Sequence, residues 1–410
     1  MNFKQRFLFL QGVCSPFFPA LAKALRQEGM RVRKVNFSVG DSIYWRQGDA
    51  TSYRGSMHGL PTFYKAEFET HGITDIVLFG DCRPVHRSAI ELAKQFDIRV
   101  HVFEEGYFRP YWVTLERGGV NGNSALPLDP DYYRQRAKHL PHYDNGTPFI
   151  SPFWKRAAYD VGYNFWAGLN PILHRGVKSH VPYSPAKEYA HYVRKSLGAH
   201  IGRRRANAIQ ATVASDSNPT SYYLFPLQLA TDAQIIYHSD FDSMTHVIDS
   251  VVGSFAQHAP AHTVLLIKAH PLDPGLINYA RHIRRLTKEF ALSGRLIYID
   301  GGHLPALING SKAVVTVNST VGASALLHSK PTKALGRAIY NMRGLTDQQS
   351  LDDFWSYQTR PDMQLFKSFR NVVINDTQIN GGFYCARGID LSVKNSLKKL
   401  LSKFQLNSTR

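Results

Sequence analysis

Two doubly wound α/β domains with a cleft between them are what this 410-residue sequence predicts. Three observations lead there. Short apolar, strand-like runs alternate with helical stretches through the first half of the chain, and the same rhythm restarts in the second half. Between the halves, residues 214–220 hold turn formers and no large apolar side chain, as a linker does. The expected division is a first domain over residues 1–213, a second over 221–370, and a C-terminal segment, 371–410, that packs back on the first.

The elements follow in order. Residues 7–10 read as the first strand; Gly12 and Ser15-Pro16 then turn the chain into a helix over 18–25 that ends near Gly29. Strands are expected at 32–37, 76–79 and 99–103, and a helix at 88–96. Residues 115–152, rich in Gly, Asn, Pro and Asp, read as a long irregular connection, followed by helices over 153–169 and 186–209. The second domain supplies strands at 222–225, 263–267, 296–299 and 313–317, with helices at 244–255 and 323–327. Strands joined through short loops and helices make parallel sheets.

Composition narrows the class. With 43% hydrophobic and 20% charged residues the chain is globular. No apolar run approaches the roughly 18 residues of a membrane span. The 7–10 patch is too short for a signal-peptide core. Three unevenly spaced cysteines, Cys14, Cys82 and Cys385, give neither a disulfide framework nor zinc spacing, so a cytoplasmic protein is expected. Lys and Arg number 49 against 31 acidic residues, a net charge of +18 that attracts anionic partners. The basic residues are dispersed and no nucleic-acid module is visible, so no nucleic-acid partner is expected. Two clusters stand out: Arg203-Arg204-Arg205, and Lys155-Arg156 among Phe153, Trp154, Phe165 and Trp166. The second fits an anionic membrane surface, or equally a core helix with a charged outer face.

Two strand ends in the second half carry phosphate-binding chemistry. Lys268-Ala269-His270-Pro271 follows one apolar run, and Asn318-Ser319-Thr320-Val321-Gly322 follows another and opens a helix. A helix start bearing free N–H groups and hydroxyls suits a phosphate, so the pair suggests a nucleotide-sugar site. Taken singly, His270 is an ordinary loop histidine and Ser319 an N-cap. In the first half, the segments 80–87 and 104–110 crowd Asp81, Arg83, His86, Arg87, Glu104, Glu105 and Arg109 at strand ends. Carboxylates there can serve acid–base work, or form a structural network with the arginines. Gln228, Asp232 and Gln234 follow the first strand of the second half, where a lone aspartate is ordinarily a turn or cap residue.

Several chemistries are excluded. No Walker A loop and no G-x-G-x-x-G occurs. His238-Ser239-Asp240 is too tightly spaced for a triad, and no nucleophile elbow exists. Asp129-x-Asp131 sits among turn formers, and one carboxylate of Asp240-x-Asp242 is placed to cap the next helix. Two aspartates alone do not make a hard-metal site, so neither metal nor cofactor is expected.

Together these motifs resemble the capsular polysaccharide biosynthesis proteins of the KpsS/LipB type, which are β-Kdo transferases. The resemblance rests on Phe9-Leu10-Gln11-Gly12, Gly80-Asp81-Cys82-Arg83-Pro84-Val85-His86, and Glu104-Glu105-Gly106-Tyr107-Phe108-Arg109-Pro110. It rests also on Pro226-Leu227-Gln228 with Asp232-Ala233-Gln234-Ile235, and on the two phosphate-site motifs. It covers most of the chain in the expected order. The resemblance implies a GT-B layout, with an acceptor-side first domain and a CMP-sugar-binding second domain. CMP-β-Kdo would be the donor and lyso-phosphatidylglycerol the acceptor, with the anomeric configuration retained, peripheral attachment to the inner membrane, and a KpsC-type partner transferase. Lys268, His270, Pro271, Asn318, Ser319 and Thr320 would hold the donor. Asp232 would be the nucleophile, with Glu105 or Asp81 handling the acceptor proton, although these carboxylates could exchange roles. Gln228, Gln234, Arg83, His86, Glu104 and Arg109 would line the cleft. Bacterial sialyltransferases share several of these motifs, so another CMP-sugar transferase is the alternative, as are a non-catalytic capsule export component and a UDP-sugar epimerase.

Overall fold

A strand covered by helices on both faces has to be apolar along its whole length. Four strands are buried at every residue and apolar but for single polar groups at their ends: Asp75–Phe79, Tyr222–Pro226, Val264–Lys268 and Ala313–Thr316. Each lies inside a parallel sheet of the computed structural model, which describes residues 5–170, 174, 176, 190, 191, 195, 202, 204–212, 221–230 and 232–402.

The first part of the chain runs β1 (Arg6–Phe9), α1 (Phe17–Gln27), β2 (Arg31–Asn36), α2 (Val39–Tyr44), β3 (Ala50–Ser52), α3 (Leu60–His71), β4 (Asp75–Phe79), α4 (Pro84–Gln95), β5 (Arg99–Glu105), β6 (Trp112–Arg117), α5 (Pro130–Ala137) and α6 (Phe153–Ala167). The second runs β7 (Tyr222–Pro226), α7 (Ala233–His238), α8 (Met244–His258), β8 (Val264–Lys268), α9 (Tyr279–Glu289), β9 (Leu296–Ile299), α10 (Leu304–Gly310), β10 (Ala313–Thr316), α11 (Thr320–Leu327) and β11 (Thr332–Ala334). It closes with α12 (Leu351–Phe354), α13 (Met363–Thr377), β12 (Gln378–Asn380) and α14 (Ala386–Leu401). These elements form two compact units: Met1–Ala125, Pro141–His180 and Val373–Arg410 in one, Leu126–Leu140 and Val181–Val372 in the other. The expected linker at 214–220, the start of the expected 186–209 helix and Arg203 lie outside the described residues.

Each unit is a Rossmann-like α/β layer structure, the pairing that defines a GT-B-like fold. The first sheet has the order β12-β6-β5-β4-β1-β2-β3, parallel from β5 to β3. Aromatic packing by Phe7, Phe9, Phe17, Phe18, Phe103 and Phe383 fills one of its faces. Leu8, Leu78, Val102, Tyr64 and Phe68 fill the other. The second sheet is wholly parallel, in the order β11-β10-β7-β8-β9.

The first sheet departs from the expected parallel pattern at one edge. β6 pairs antiparallel with β5, and β12 from the C-terminal segment pairs antiparallel with β6. β6 lacks clean alternation because Glu116 is buried in it, accepting hydrogen bonds from Tyr107 Oη (2.6 Å) and Ser124 Oγ. The connection read as irregular also contains α5. Asp129 caps that helix by accepting from the Asp131 N–H at 3.0 Å, and Pro130 occupies its first turn. At the next expected cap, Ser243 rather than Asp240 or Asp242 accepts from the α8 backbone, at His246 N (3.2 Å).

Gly106 lets the β5–β6 turn close. A Cβ there would overlap the Trp112 carbonyl, which is backbone and cannot swing aside. Gly106→Ala is therefore expected to cost about 1–3 kcal/mol, read as a lower urea midpoint for the transition of the first unit.

Candidate functional site

In the second unit the strand order reverses beside β7: β8 and β9 are added on one side, β10 and β11 on the other. Loops at such a switch point diverge and leave a crevice at the carboxyl ends of the strands. The loops after β7, β8 and β10 carry the second-half motifs, so the topology sets them side by side.

The β7 and β10 loops are joined by an amide pair. Gln228 Nε2 donates to Asn318 Oδ1 at 3.1 Å, and the Asn318 N–H returns a bond to Gln228 Oε1 at 3.2 Å. Gln228 Nε2 also donates to Asp232 Oδ2 at 3.1 Å, while Asp232 Oδ1 accepts from Gln234 N at 2.9 Å as the cap of α7. Asn318 Nδ2 donates to the carbonyls of Gln234 (2.8 Å) and His238 (3.2 Å). Gln228, Asp232, Gln234 and Asn318 are thus one network that fixes the carboxylate through both oxygens.

At the neighbouring loop, His270 Nδ1 accepts from the Leu272 N–H at 3.1 Å. A neutral ring with Nδ1 as acceptor carries its proton on Nε2, a donor suited to an anion. Pro271 lies in the same turn, closed by Asp273 N donating to the His270 carbonyl at 3.0 Å. Lys268 is buried instead. Its Nζ donates to Ala269 O at 3.3 Å, and burial holds its amine below the ordinary range, partly offset by Asp300. Ser319 caps α11, its Oγ accepting from Val321 N at 3.2 Å, and Thr320 opens the helix. Tyr340 Oη donates to the Ser319 carbonyl at 2.5 Å and leaves room only for hydrogen at Gly322. Tyr340 had no local sequence signal, since it lies outside every motif.

The first-unit residues divide by face. Successive strand residues point to opposite sides of a sheet, so Glu104 and Glu105, the last residues of β5, separate. Glu105 shares the Phe103 face, where Oε1 accepts from Tyr384 Oη at 3.2 Å and pairs with Arg156 Nη1 at 3.5 Å. The Arg156 guanidinium lies 4.9 Å from the Tyr384 ring centre. Glu104 shares the Val102 face and is partly buried; its Oε1 accepts from Glu105 N at 2.9 Å. Burial raises its carboxyl to about 7, against lowering contributions from the Glu105 N–H, Arg83 and Arg109, with the Glu105 charge adding to the rise.

Asp81 is buried with both oxygens engaged. Oδ2 accepts from Val120 N (3.1 Å) and Asn123 Nδ2 (3.0 Å), and Oδ1 accepts from Cys82 Sγ (3.4 Å). His86 donates from Nδ1 to the Gly80 carbonyl at 2.6 Å. Arg83 Nη1 donates to Gln11 Oε1 (3.1 Å) and Gly12 O (3.0 Å), while Arg109 stays exposed. Gln11, Arg156 and Tyr384 belong to this cluster although the sequence reading gave them no site role. Tyr384 lies 279 residues from Glu105, beyond any local pattern.

The model for capsule polysaccharide biosynthesis proteins matches residues 74–384. The chain belongs to that family. It is 36% identical over 384 residues to the capsule polysaccharide export protein KpsS of Escherichia coli, covering 93% of this chain and 97% of that one. It is likewise 36% identical over 388 residues to the capsule polysaccharide modification protein LipB of Neisseria meningitidis serogroup B, covering 93% and 92%. Among solved structures, the KpsC β-Kdo 2,7-transferase of Thermosulfurimonas dismutans aligns with 97% of this chain and 100% of its own, at 13% identity and a TM-score of 0.47. The motifs quoted from residue 80 through residue 322 all fall inside the family match.

Truncating Asn318 would remove one acceptor of Gln228 Nε2 and the side-chain donor to the Gln234 and His238 carbonyls, while its backbone N–H would still reach Gln228 Oε1. Asn318→Ala is expected to cost about 1–3 kcal/mol, measured by urea unfolding of the second unit.

Proposed function

We propose that this capsule-family protein is a retaining glycosyltransferase that moves β-Kdo from CMP-β-Kdo to a lyso-phosphatidylglycerol acceptor. The observation that carries the reading is the fixed Asp232 carboxylate at the switch point of the second sheet, flanked by anion-suited loops at His270 and Ser319-Thr320. Retention by double displacement needs a carboxylate that attacks the anomeric carbon and later departs. Gln228 and the Gln234 N–H hold Asp232 in one orientation, so little ordering remains for the attack. His270 Nε2–H and the Thr320 hydroxyl are donors for the phosphate of the leaving CMP, which needs no protonation to depart. Lys268 contributes local positive charge from its buried position.

Asp232→Asn is expected to bind CMP with wild-type affinity and transfer nothing, because the amide is isosteric but not nucleophilic. Intact-mass spectrometry of wild type with CMP-Kdo is expected to show a sugar adduct that maps to Asp232. Full activity of Asp232→Ala would end this assignment.

We propose also that the protein works at an anionic membrane surface, where its acceptor lipid and a KpsC-type partner transferase would be met. The support is α6. Its inward face is polar: Tyr163 Oη takes part in hydrogen bonds with Gln11, Ser38 and Asp41, and Tyr44 Oη donates to the Tyr159 carbonyl. Outward it presents Trp154 (65% exposed), Val161 (49%) and Phe165 (72%), with Lys155 Nζ 5.6 Å from the Trp154 ring centre. No residue of α6 is fully buried, which favours this reading over that of a core helix with a charged outer face. Among the described residues no helix is long and apolar enough to cross a membrane. Trp154→Ser with Phe165→Ser is expected to lower co-sedimentation with phosphatidylglycerol vesicles at least tenfold while leaving the melting curve unchanged. Raising salt should weaken wild-type binding, by roughly 1 kcal/mol per basic residue that faces the surface.

A further inference from the structure

We propose that the first unit holds a separate anion site, at the amino edge of its sheet, that takes a phosphate monoester. The site does not rest on the transfer reading. The motif residues of this unit lie at the carboxyl ends of β4 and β5, whereas Arg6 opens β1 and Arg31 opens β2 at the opposite ends of the strands. A cavity of about 460 Å³ lies there, lined by the guanidiniums of Arg6, Arg26, Arg31 and Arg33. That volume is in the range of small-ligand pockets, roughly 300–1,000 Å³. Phe7, Val32 and Ile73, all buried, give it an apolar wall.

Much of the positive charge has no carboxylate to answer it. Arg33 takes two acids, with Nη1 3.9 Å from Asp49 and Nε 3.4 Å from Glu67. Arg26 is held by neutral acceptors, the Gln47 side chain and the carbonyls of Val32 (3.0 Å) and Gly48 (3.3 Å). Arg6 Nη1 donates to the His71 carbonyl at 3.2 Å, which leaves the other donors of its fork unspent. The Arg31 side chain is exposed and makes no hydrogen bond or ion pair among the described residues. Arg6 and Arg31 are also paired residues of adjacent parallel strands, on one face and about 4.8 Å apart at the backbone. Like charges set side by side repel.

The ordinary explanation of such cations is that they serve the carbonyl ends of helices. α1 and α3 both end here, at Gln27 and His71. A helix end carries only about half a charge. Two such ends with two carboxylates do not match four guanidiniums, and none of them meets the Arg31 side chain.

The unspent donors select the ligand. A carboxylate presents two oxygens in one plane and takes a single fork. A phosphate monoester presents three oxygens around a tetrahedral phosphorus, carries close to two negative charges at neutral pH, and accepts from several forks at once. The cavity exceeds what a bare phosphate fills, and its apolar wall suits the organic part of an ester. A soluble ester and a lipid whose headgroup ends in phosphate share this chemistry.

The test uses the full chain. Isothermal titration of the wild type with glycerol 3-phosphate is expected to give a saturable event that Arg31→Glu weakens at least about tenfold, as loss of a charge-assisted bond does. Arg281→Glu, at an exposed position of α9 in the second unit, makes the same change in net charge and is expected to bind as the wild type does. Melting curves give an independent reading. Arg31→Glu places an acid beside Arg6, so it should melt no lower than the wild type, while glycerol 3-phosphate should raise the melting temperature of the wild type alone. Co-sedimentation then compares vesicles of phosphatidic acid, a monoester, with vesicles of phosphatidylglycerol, a diester, at equal surface charge. A preference for phosphatidic acid that Arg31→Glu abolishes would make the source a lipid headgroup; glycerol 3-phosphate binding without that preference would make it a soluble ester. Neither binding nor preference in the wild type would overturn the proposal. So would equal weakening by Arg281→Glu, or binding that Arg31→Glu leaves untouched.

Discussion

The reciprocal amide pair of Gln228 and Asn318 is the interaction on which the second unit's candidate site depends. β7 and β10 are neighbours in the sheet, but the chain reaches them from opposite directions, so their loops part above the strand ends. Parting loops expose backbone carbonyls and N–H groups that have lost their sheet partners. Gln228 and Asn318 satisfy one another across that gap, and their remaining donors reach Asp232, Gln234 and His238. Holding the crevice open and aiming the carboxylate are thus one act. A hydrophobic pair at these positions would close the gap as well but leave Asp232 to its own cap.

The first unit faces a different problem, that of limiting the repulsion between two adjacent carboxylates at a sheet edge, some of which still adds to the raised Glu104 carboxyl. Strand geometry does most of it, because residues 104 and 105 of β5 project to opposite faces. The faces then differ in what meets each carboxylate. Glu105 finds Arg156 from α6 and Tyr384 from the C-terminal segment, so its charge is matched. Glu104 meets the bare end of β4 at Gly80, with arginines near but neither in an ion pair with it. The same two-residue sequence therefore yields one carboxylate held in an ion pair and one whose carboxyl burial raises to about 7.

How much of this was legible beforehand follows from range. The buried parallel strands were readable because their apolar runs carry their own signal; residues 296–299 were expected and found at identical bounds. The loops after β7, β8 and β10 were readable because strand-end motifs are local. β6 and β12 were not, since their pairing joins Trp112–Arg117 to Gln378–Asn380, far apart in the chain. Moreover, Glu116 inside β6 looks polar until Tyr107 and Ser124 are seen to satisfy it. The partners of Asp81 were hidden for a related reason. A strand-end aspartate looks available in sequence, and only the fold brings Val120 and Asn123 to its oxygens.

The ambiguity at α6 has a physical resolution that bears on function. A helix normally docks through its apolar face, because burying apolar surface is what drives the docking. α6 docks through the Tyr163 hydroxyl, the Tyr159 carbonyl and Arg156, and keeps several large apolar side chains outward. Hydrogen bonds net only about 1 kcal/mol each, and packing of the Tyr159 and Tyr163 rings against Tyr44 shares the docking with them. The exposed aromatic face is what the proposed lipid surface would cover. Arg156 lies on this helix and holds Glu105, one residue from Glu104. That single ion pair is the link between the helix that would face the proposed lipid surface and the carboxylates at the β5 edge.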